Sequence, residues 1–339
     1  MSITVVPLST VTLTEQIDAL VEVTPSSWFW HRPKWRDYEM ARNPRLLDYS
    51  WAVMDGDEPV ASQLLTYNPD LRLFGLGDLG APFAAQVYAS TSRQFEFISA
   101  LMDETFGRIV RHIPAQVRFR SMPLHAHFYH DADRETLVSP LDNAMGHSPL
   151  WLSESCRTRV IDLSVPIEEL WSALRKSYRH TVLDSEARLV VSKEHNDQTW
   201  RLCQWLHMKA SGRQTRPSES WVYQDSFVHA DEASWFLAKD QKTEELVGFA
   251  YVIHWKQWAY YASAASLRPN VSHALQWKII QDLKARGVRY YEIGHQGQDA
   301  SKKGKGIEFF RRGFGGVDVV QPIYSTDLLM RTDNSGSVH

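Results

Sequence analysis

Cysteine is nearly absent. Cys156 and Cys203 are the only two in 339 residues, which excludes a disulfide framework and makes a reducing, cytoplasmic location the expectation. No run of about 18 apolar residues occurs, so no integral membrane association is expected. Residues 1–14 lack the basic start and long apolar core of a signal peptide. A broad excess of positive charge is missing too. The formal net charge is -3, which argues against a dedicated duplex-DNA binder but leaves room for a local basic patch that meets phosphates. No Gly-x-Ser-x-Gly elbow is present, so nothing indicates a serine-nucleophile triad. Tryptophan, by contrast, is abundant at thirteen residues. Most are expected in cores and the rest along a substrate cleft.

Apolar residues make up 43% and charged residues 23% of the chain, a normal globular balance with length enough for two domains. Residues 53–67 read as two strands around the turn Asp55-Gly56-Asp57. Residues 71–83 read as a glycine-interrupted strand, 95–109 as a helix by the spacing of Phe95, Ile98, Leu101, Met102 and Phe106, and 116–120 as a strand. The pattern resets near residue 150. A strand at 160–163 is followed by Ile167, Leu170, Trp171, Leu174 and Tyr178 on one helix face, a strand at 189–192 and a helix at 200–210. Three strands follow at 234–238, 246–253 and 258–264. Ser272 is placed to cap a helix that stops at Gly287. A buried strand at 288–293, a short helix with Ile307, Phe310 and Phe314 on one face, and a strand within 317–329 complete the order. Both halves thus run strands, helix, strand. The expected class is α/β in two similar halves: residues 1–150, completed by 317–330, then 151–316, with a tail at 331–339.

The run Ile307-Glu308-Phe309-Phe310-Arg311-Arg312-Gly313-Phe314-Gly315-Gly316 resembles the FK-x-G-F-G ending of Fem-type aminoacyltransferases. Tyr290-Tyr291-Glu292-Ile293-Gly294 is similar to the strand that precedes that ending. The helix bearing Arg175 and Arg179 is similar to one at the start of the group's second half. The resemblance covers roughly residues 155–325 by motif and the first half only by its order of elements. It implies two tandem GNAT-like domains, with mixed central sheets flanked by helices. It also implies transfer of an aminoacyl group from aminoacyl-tRNA to an amine acceptor of small-molecule, peptide or cell-wall type. Where the family has Lys after Phe this chain has Arg311. That Lys is held to steady negative charge on the reacting carbonyl. Arg keeps the charge but is not an equivalent point charge.

Amide formation from an ester or thioester needs a neutral amine, a stabilised oxyanion and aligned partners. Arg311 is the candidate for the oxyanion or a donor phosphate. Glu292, at the end of a buried strand, and His295, able to take a proton near neutral pH, complete the catalytic set. Lys302, Lys303 and Lys305 form, with Arg311 and Arg312, the densest basic patch, placed just before the last helix. Arg213, Thr215 and Arg216, followed by Trp221, suit a clamp on a carboxylate or phosphate with stacking on a sugar or base. Phe310 and Tyr261 join this substrate-binding set. His125, His127 and His130 share a loop with Asp131 and Asp133, but the spacing matches no common zinc pattern and no metal is expected. Both cysteines read as inert packing residues.

No cofactor is expected. A coenzyme A cradle needs free backbone N–H groups that open a helix directly. Residues 266–272 contain no glycine, and Pro269 has no N–H. Residues 72–77 match the cradle pattern literally and 75–80 the dinucleotide fingerprint, but the helix signal starts only near Phe95. An acyl-coenzyme A N-acyltransferase and a non-catalytic binding protein of the same fold stand as alternatives. Nothing points to an oligomeric state, and a monomer is compatible with the sequence.

Overall fold

The structure is a computed structural model that describes residues 2–25, 27–75, 84–88, 93–110, 116–119, 152–296 and 301–327. The chain divides into two compact units, Met1–Ser155 with Gln321–His339, and Cys156–Val320.

The first unit opens with β1 (Ile3–Pro7), α1 (Val11–Val23), a 3-10 turn (Phe29–His31) and α2 (Pro33–Arg42). Thr10 caps α1 by accepting from the Leu13 N–H, and Leu13, Ile17 and Val21 are its buried stripe at four-residue spacing. The strands β2 (Leu47–Asp48), β3 (Trp51–Asp55), β4 (Glu58–Leu64), β5 (Thr66–Asn68), β6 (Leu73–Gly75) and β7 (Ala84–Val87) follow, then α3 (Gln94–Val110) and β8 (Gln116–Phe119). One antiparallel sheet runs β1-β3-β4-β7. Its β3–β4 hairpin turns at Gly56, φ +65°, as the sequence predicts. A second set pairs β2 with β5, β5 with β6 and β6 with β8. Of the strand expected at 71–83, residues 71–75 are described, and Leu73–Gly75 of these are strand. The His-rich loop at 122–131 lies outside them. The segment from Trp28 to Tyr38 carries no periodic signal, yet it is a core. Trp28, Phe29, Trp30, Trp35 and Tyr38 are all buried, with rings meeting at 4.4 to 6.2 Å.

The second unit holds most of β9 (Leu152–Asp162), then α4 (Ile167–Ala173), α5 (Lys176–Glu186), β10 (Leu189–Lys193), α6 (Thr199–Ser211) and α7 (Ser218–His229). β11 (Ala233–Asp240), β12 (Leu246–Trp255), β13 (Trp258–Ser266), α8 (Val271–Ala285), β14 (Tyr290–Gln296), α9 (Lys302–Arg312) and β15 (Val317–Asp327) follow. The end of β15 returns to the first unit, where Tyr324 to Asp327 pair antiparallel with β8. The sheet order is β10-β11-β12-β13-β14-β9. Every pairing in it is antiparallel except β13 with β14. Both faces are covered, so β11 and β12 read as continuous apolar runs. Phe236, Ala238, Ala250 and Val252 share a core with Val182 of α5 and Leu275, Ile279 and Ile280 of α8. Their neighbours Trp235, Phe249 and Tyr251 point the other way, towards Trp221 of α7.

The expected α/β class holds, with four local corrections. The single helix expected through Leu170 and Tyr178 is two. Leu174 is extended at φ -63°, ψ 139°, and the Arg175 N–H donates to the Gly313 carbonyl at 2.9 Å, which bends the chain out of the helix. Residues 218–229, to which the sequence assigns no element, form α7. Its buried positions include Ser220, Gln224 and Asp225, so the apolar period that marks a helix is missing. Ser272 does not cap α8. Asn270 does, in the left-handed region at φ +69° and without a side-chain bond. Lys302, Lys303 and Lys305 do not precede the last helix but form its first turn, because Ser301 caps it by accepting from the Gly304 N–H.

Candidate functional site

The parallel ladder between β13 and β14 spans three pairs, Trp258 to Tyr260 against Tyr290 to Glu292. Both strands continue past it. Beyond Glu292, β14 pairs with β9 alone, through Gly294, His295 and Gln296. At this point the sheet gathers polar groups. Glu292 is fully buried and accepts a hydrogen bond from Thr158 Oγ1 at 2.5 Å. The Tyr291 hydroxyl donates to Gln276 Oε1 at 2.8 Å, deep in the core. Arg311 reaches this point from the last turn of α9. Its Nη1 donates to the His295 carbonyl, and its guanidinium lies over Gly294. A Cβ on that glycine would stand 2.7 Å from Nη2. Among the described residues that is Arg311's only side-chain hydrogen bond, so further N–H donors remain for a ligand.

The electrostatics follow from burial. Desolvation pulls Arg311 below the usual arginine value, opposed by Tyr260, Tyr261, Glu292 and Tyr291 around it. Arginine still keeps its charge at neutral pH. Burial pushes Tyr261 up to about 12, against the opposing effect of the nearby Gln276 and Arg311. Tyr261 is therefore a hydroxyl donor at physiological pH. Burial raises Tyr291 well above its ordinary value too. The arrangement is a fixed cation flanked by neutral donors, suited to a carbonyl oxygen that gains negative charge.

The structure brings Arg311, Glu292, His295 and Tyr261 together. Glu292, however, has no exposed surface, so it bears on the site through Arg311 rather than by touching a substrate. His295 is half-buried and contributes its carbonyl. Phe310 packs with Tyr178, His273 and Phe314 at 5.1 to 6.2 Å, so its ring docks α9 on the core instead of lining a ligand site. The lysines are exposed. Arg311 lies about 13 Å along the helix from Lys302, on the opposite face, whereas Lys303 is about 80° away around the axis.

The second group of candidates forms its own pocket. Arg216 stacks over the fully buried Trp221 ring at 3.9 Å and donates to Gln224 Oε1 at 2.7 Å. Thr215 Oγ1 lies 3.2 Å from His207 Nδ1. Burial and Arg216 together lower the His207 pKa. A pocket of about 230 Å³ opens here, lined by Thr215, Arg216 and Trp221 with Arg201, Trp205 and Met208. Arg213 is exposed and does not line it.

Sequence reasoning missed Thr158, Gln276, Gly294 and Tyr291 as parts of the Arg311 site. Thr158 and Glu292 are 134 positions apart, and no local pattern links them. Gly294 had one usable signal, a glycine just after a buried strand.

No protein-family model matches the sequence, and no curated protein matches it. Solved structures do. The crystal structure of FemX superposes with a TM-score of 0.62 at 13% identity, covering 97% of this chain and 98% of that one. The structure of L-PGS from Bacillus licheniformis gives 0.56 at 11% identity, covering 91% and 90%. Identities this low speak for the fold alone, and over nearly the whole length. This chain therefore shares its fold with FemX and L-PGS over nearly its whole length.

Proposed function

We propose that the protein is an amide-bond-forming acyltransferase, which moves an aminoacyl group from aminoacyl-tRNA to an amine acceptor. The observation that carries this reading is Arg311, seated on Gly294 where the β13–β14 ladder ends, with donors to spare. A neutral amine attacks the ester carbonyl. Arg311 and Tyr261 stabilise the oxyanion, and collapse expels the tRNA hydroxyl. The charge of Glu292 steadies Arg311, and His295, half-exposed beside it, would take the amine proton and pass it to the leaving tRNA oxygen. Lys302, Lys303 and Lys305 would meet donor phosphates.

The donor assignment rests on the turn between β13 and α8. Pro269 has no N–H, the Leu267 N–H is taken by the Val247 carbonyl at 2.9 Å, and the His273 N–H by the Asn270 carbonyl at 3.0 Å. Three of the seven backbone positions from 267 to 273 therefore cannot donate to a pyrophosphate.

The test uses the chemistry of the product. Purified protein is incubated with radiolabelled aminoacyl-tRNAs, or with labelled acetyl-coenzyme A, and a panel of primary amines. Alkali destroys the ester of residual donor but spares an amide. Alkali-stable label from aminoacyl-tRNA alone is the expected result. Label from acetyl-coenzyme A alone would replace the donor, and label from neither across the panel would favour a binding protein.

A further inference from the structure

His195 follows β10, whereas Asp225 and His229 stand four residues apart on one face of α7. The fold brings them together. Asp225 Oδ1 lies 3.7 Å from His195 Nε2, and Asp225 Oδ2 lies 3.3 Å from His229 Nε2. One ligand atom from each residue fits within 4.8 Å of the others. The two imidazole rings meet at 4.1 Å between centroids.

The carboxylate is in an unusual position. Asp225 is 7% exposed, and its Oδ1 is buried with no hydrogen-bond partner. The approach of His195 at 3.7 Å is too long for a hydrogen bond. A buried carboxylate oxygen left this way is costly, and a cation between the three side chains would satisfy it. Zinc bonds of about 2.0–2.1 Å in a tetrahedron place neighbouring ligand atoms about 3.3 Å apart, a spacing that the three ligand atoms here, all within 4.8 Å of one another, reach by small side-chain rotations. Two imidazoles and one carboxylate suit zinc over a hard cation such as magnesium. A cavity of about 150 Å³ beside His195 has room for the water that would complete four-coordination. Glu194, in the same cavity, is already held by Lys239 at 2.7 and 2.8 Å.

We propose that His195, Asp225 and His229 form a zinc site. It lies at the β10–β11 edge of the sheet, four strand spacings or about 19 Å from β14. It is therefore separate from the Arg311 site and acts as a tether, tying the turn after β10 to the end of α7.

The experiment titrates zinc into metal-free full-length protein by calorimetry and follows thermal unfolding in parallel. Wild type is expected to bind one more zinc ion per chain than the His195→Ala, His229→Ala double variant, and only wild type should gain thermal stability from that ion. Losing even an outer partner of a zinc ligand typically costs about 10- to 100-fold in affinity, so each single variant should weaken this site by at least about tenfold. Both histidines are on the surface, so the variants should fold, which circular dichroism checks. Equal stoichiometry and equal thermal gain in the double variant would place any zinc elsewhere and overturn the proposal. So would absence of binding to wild type, or equal saturation by magnesium.

Discussion

A methyl group on Gly294 would collide with Arg311, 2.7 Å from Nη2 and 2.9 Å from Cζ. The glycine also sits at φ +106°, where side chains are strained. Gly294→Ala should therefore act as an Arg311 variant made from the opposite side. The expected outcome is a fall in kcat of at least about tenfold, with donor KM changed little, because the displaced charge matters most in the transition state. Steady-state kinetics beside a thermal melt will separate this from unfolding. Unchanged kcat would mean that the seat of Arg311 is immaterial. At this scale the sequence was informative where a motif was compact. Arg311, Glu292 and His295 fall within twenty residues of one another, and their run drew notice. Thr158 and Gln276 gave no signal, since only the sheet and α8 carry them to Glu292 and Tyr291. Gly313 shows that parts of the motif are structural. A Cβ there would stand 2.0 Å from the Tyr178 ring, and its carbonyl takes the Arg175 N–H.

Secondary-structure elements were legible in proportion to their apolar period. β11, β12, β14 and α8 are buried by apolar side chains and were placed to within a few residues. α7 was not, because it buries Ser220, Gln224 and Asp225 beside Trp221 and Phe227. The break between α4 and α5 was hidden for a different reason, as a tertiary hydrogen bond to Gly313 makes it. One element-level packing has a consequence for pH. His254 of β12 lies against Arg286 at the end of α8, whose Nη1 is 3.3 Å from His254 Nδ1. Burial, and then the charge of Arg286, lower the His254 pKa to about 4 from 6.5. The unfolded chain therefore takes up this proton first. The stability linked to His254 is complete above pH 6.5 and declines as pH falls towards 4. Between pH 6.5 and 5 the loss is at most about 2 kcal/mol. Urea unfolding at pH 7.5 and 5.0 should show wild type losing more stability than His254→Asn. Equal losses in both would contradict the assignment. His207 and His273, both lowered mainly by burial, add to the trend in the same direction.

For the molecule as a whole, a net charge of -3 and an RNA-borne donor are compatible only if positive charge is local, as it is along α9. Among the described residues no helix is long and apolar enough to cross a membrane. The second unit was readable because a resemblance pointed to it and its sheet is apolar on both faces. The first was less so. Its Trp28–Tyr38 core is a run of aromatics without period, although the expectation that tryptophan is mainly core holds, with nine of the twelve described tryptophans buried. The fold is shared with FemX and L-PGS over nearly the full length, but a fold hosts many activities and the site has to argue for itself. The account stands on Arg311 as the cation beside the reacting carbonyl. Its most direct test is the rate of amide formation from aminoacyl-tRNA by Arg311→Ala and Arg311→Lys against wild type. The account predicts a fall in kcat of about two orders of magnitude or more for Ala, as for other lost oxyanion donors, with acceptor KM nearly unchanged and partial activity for Lys. Wild-type kcat in a folded Arg311→Ala variant would contradict it.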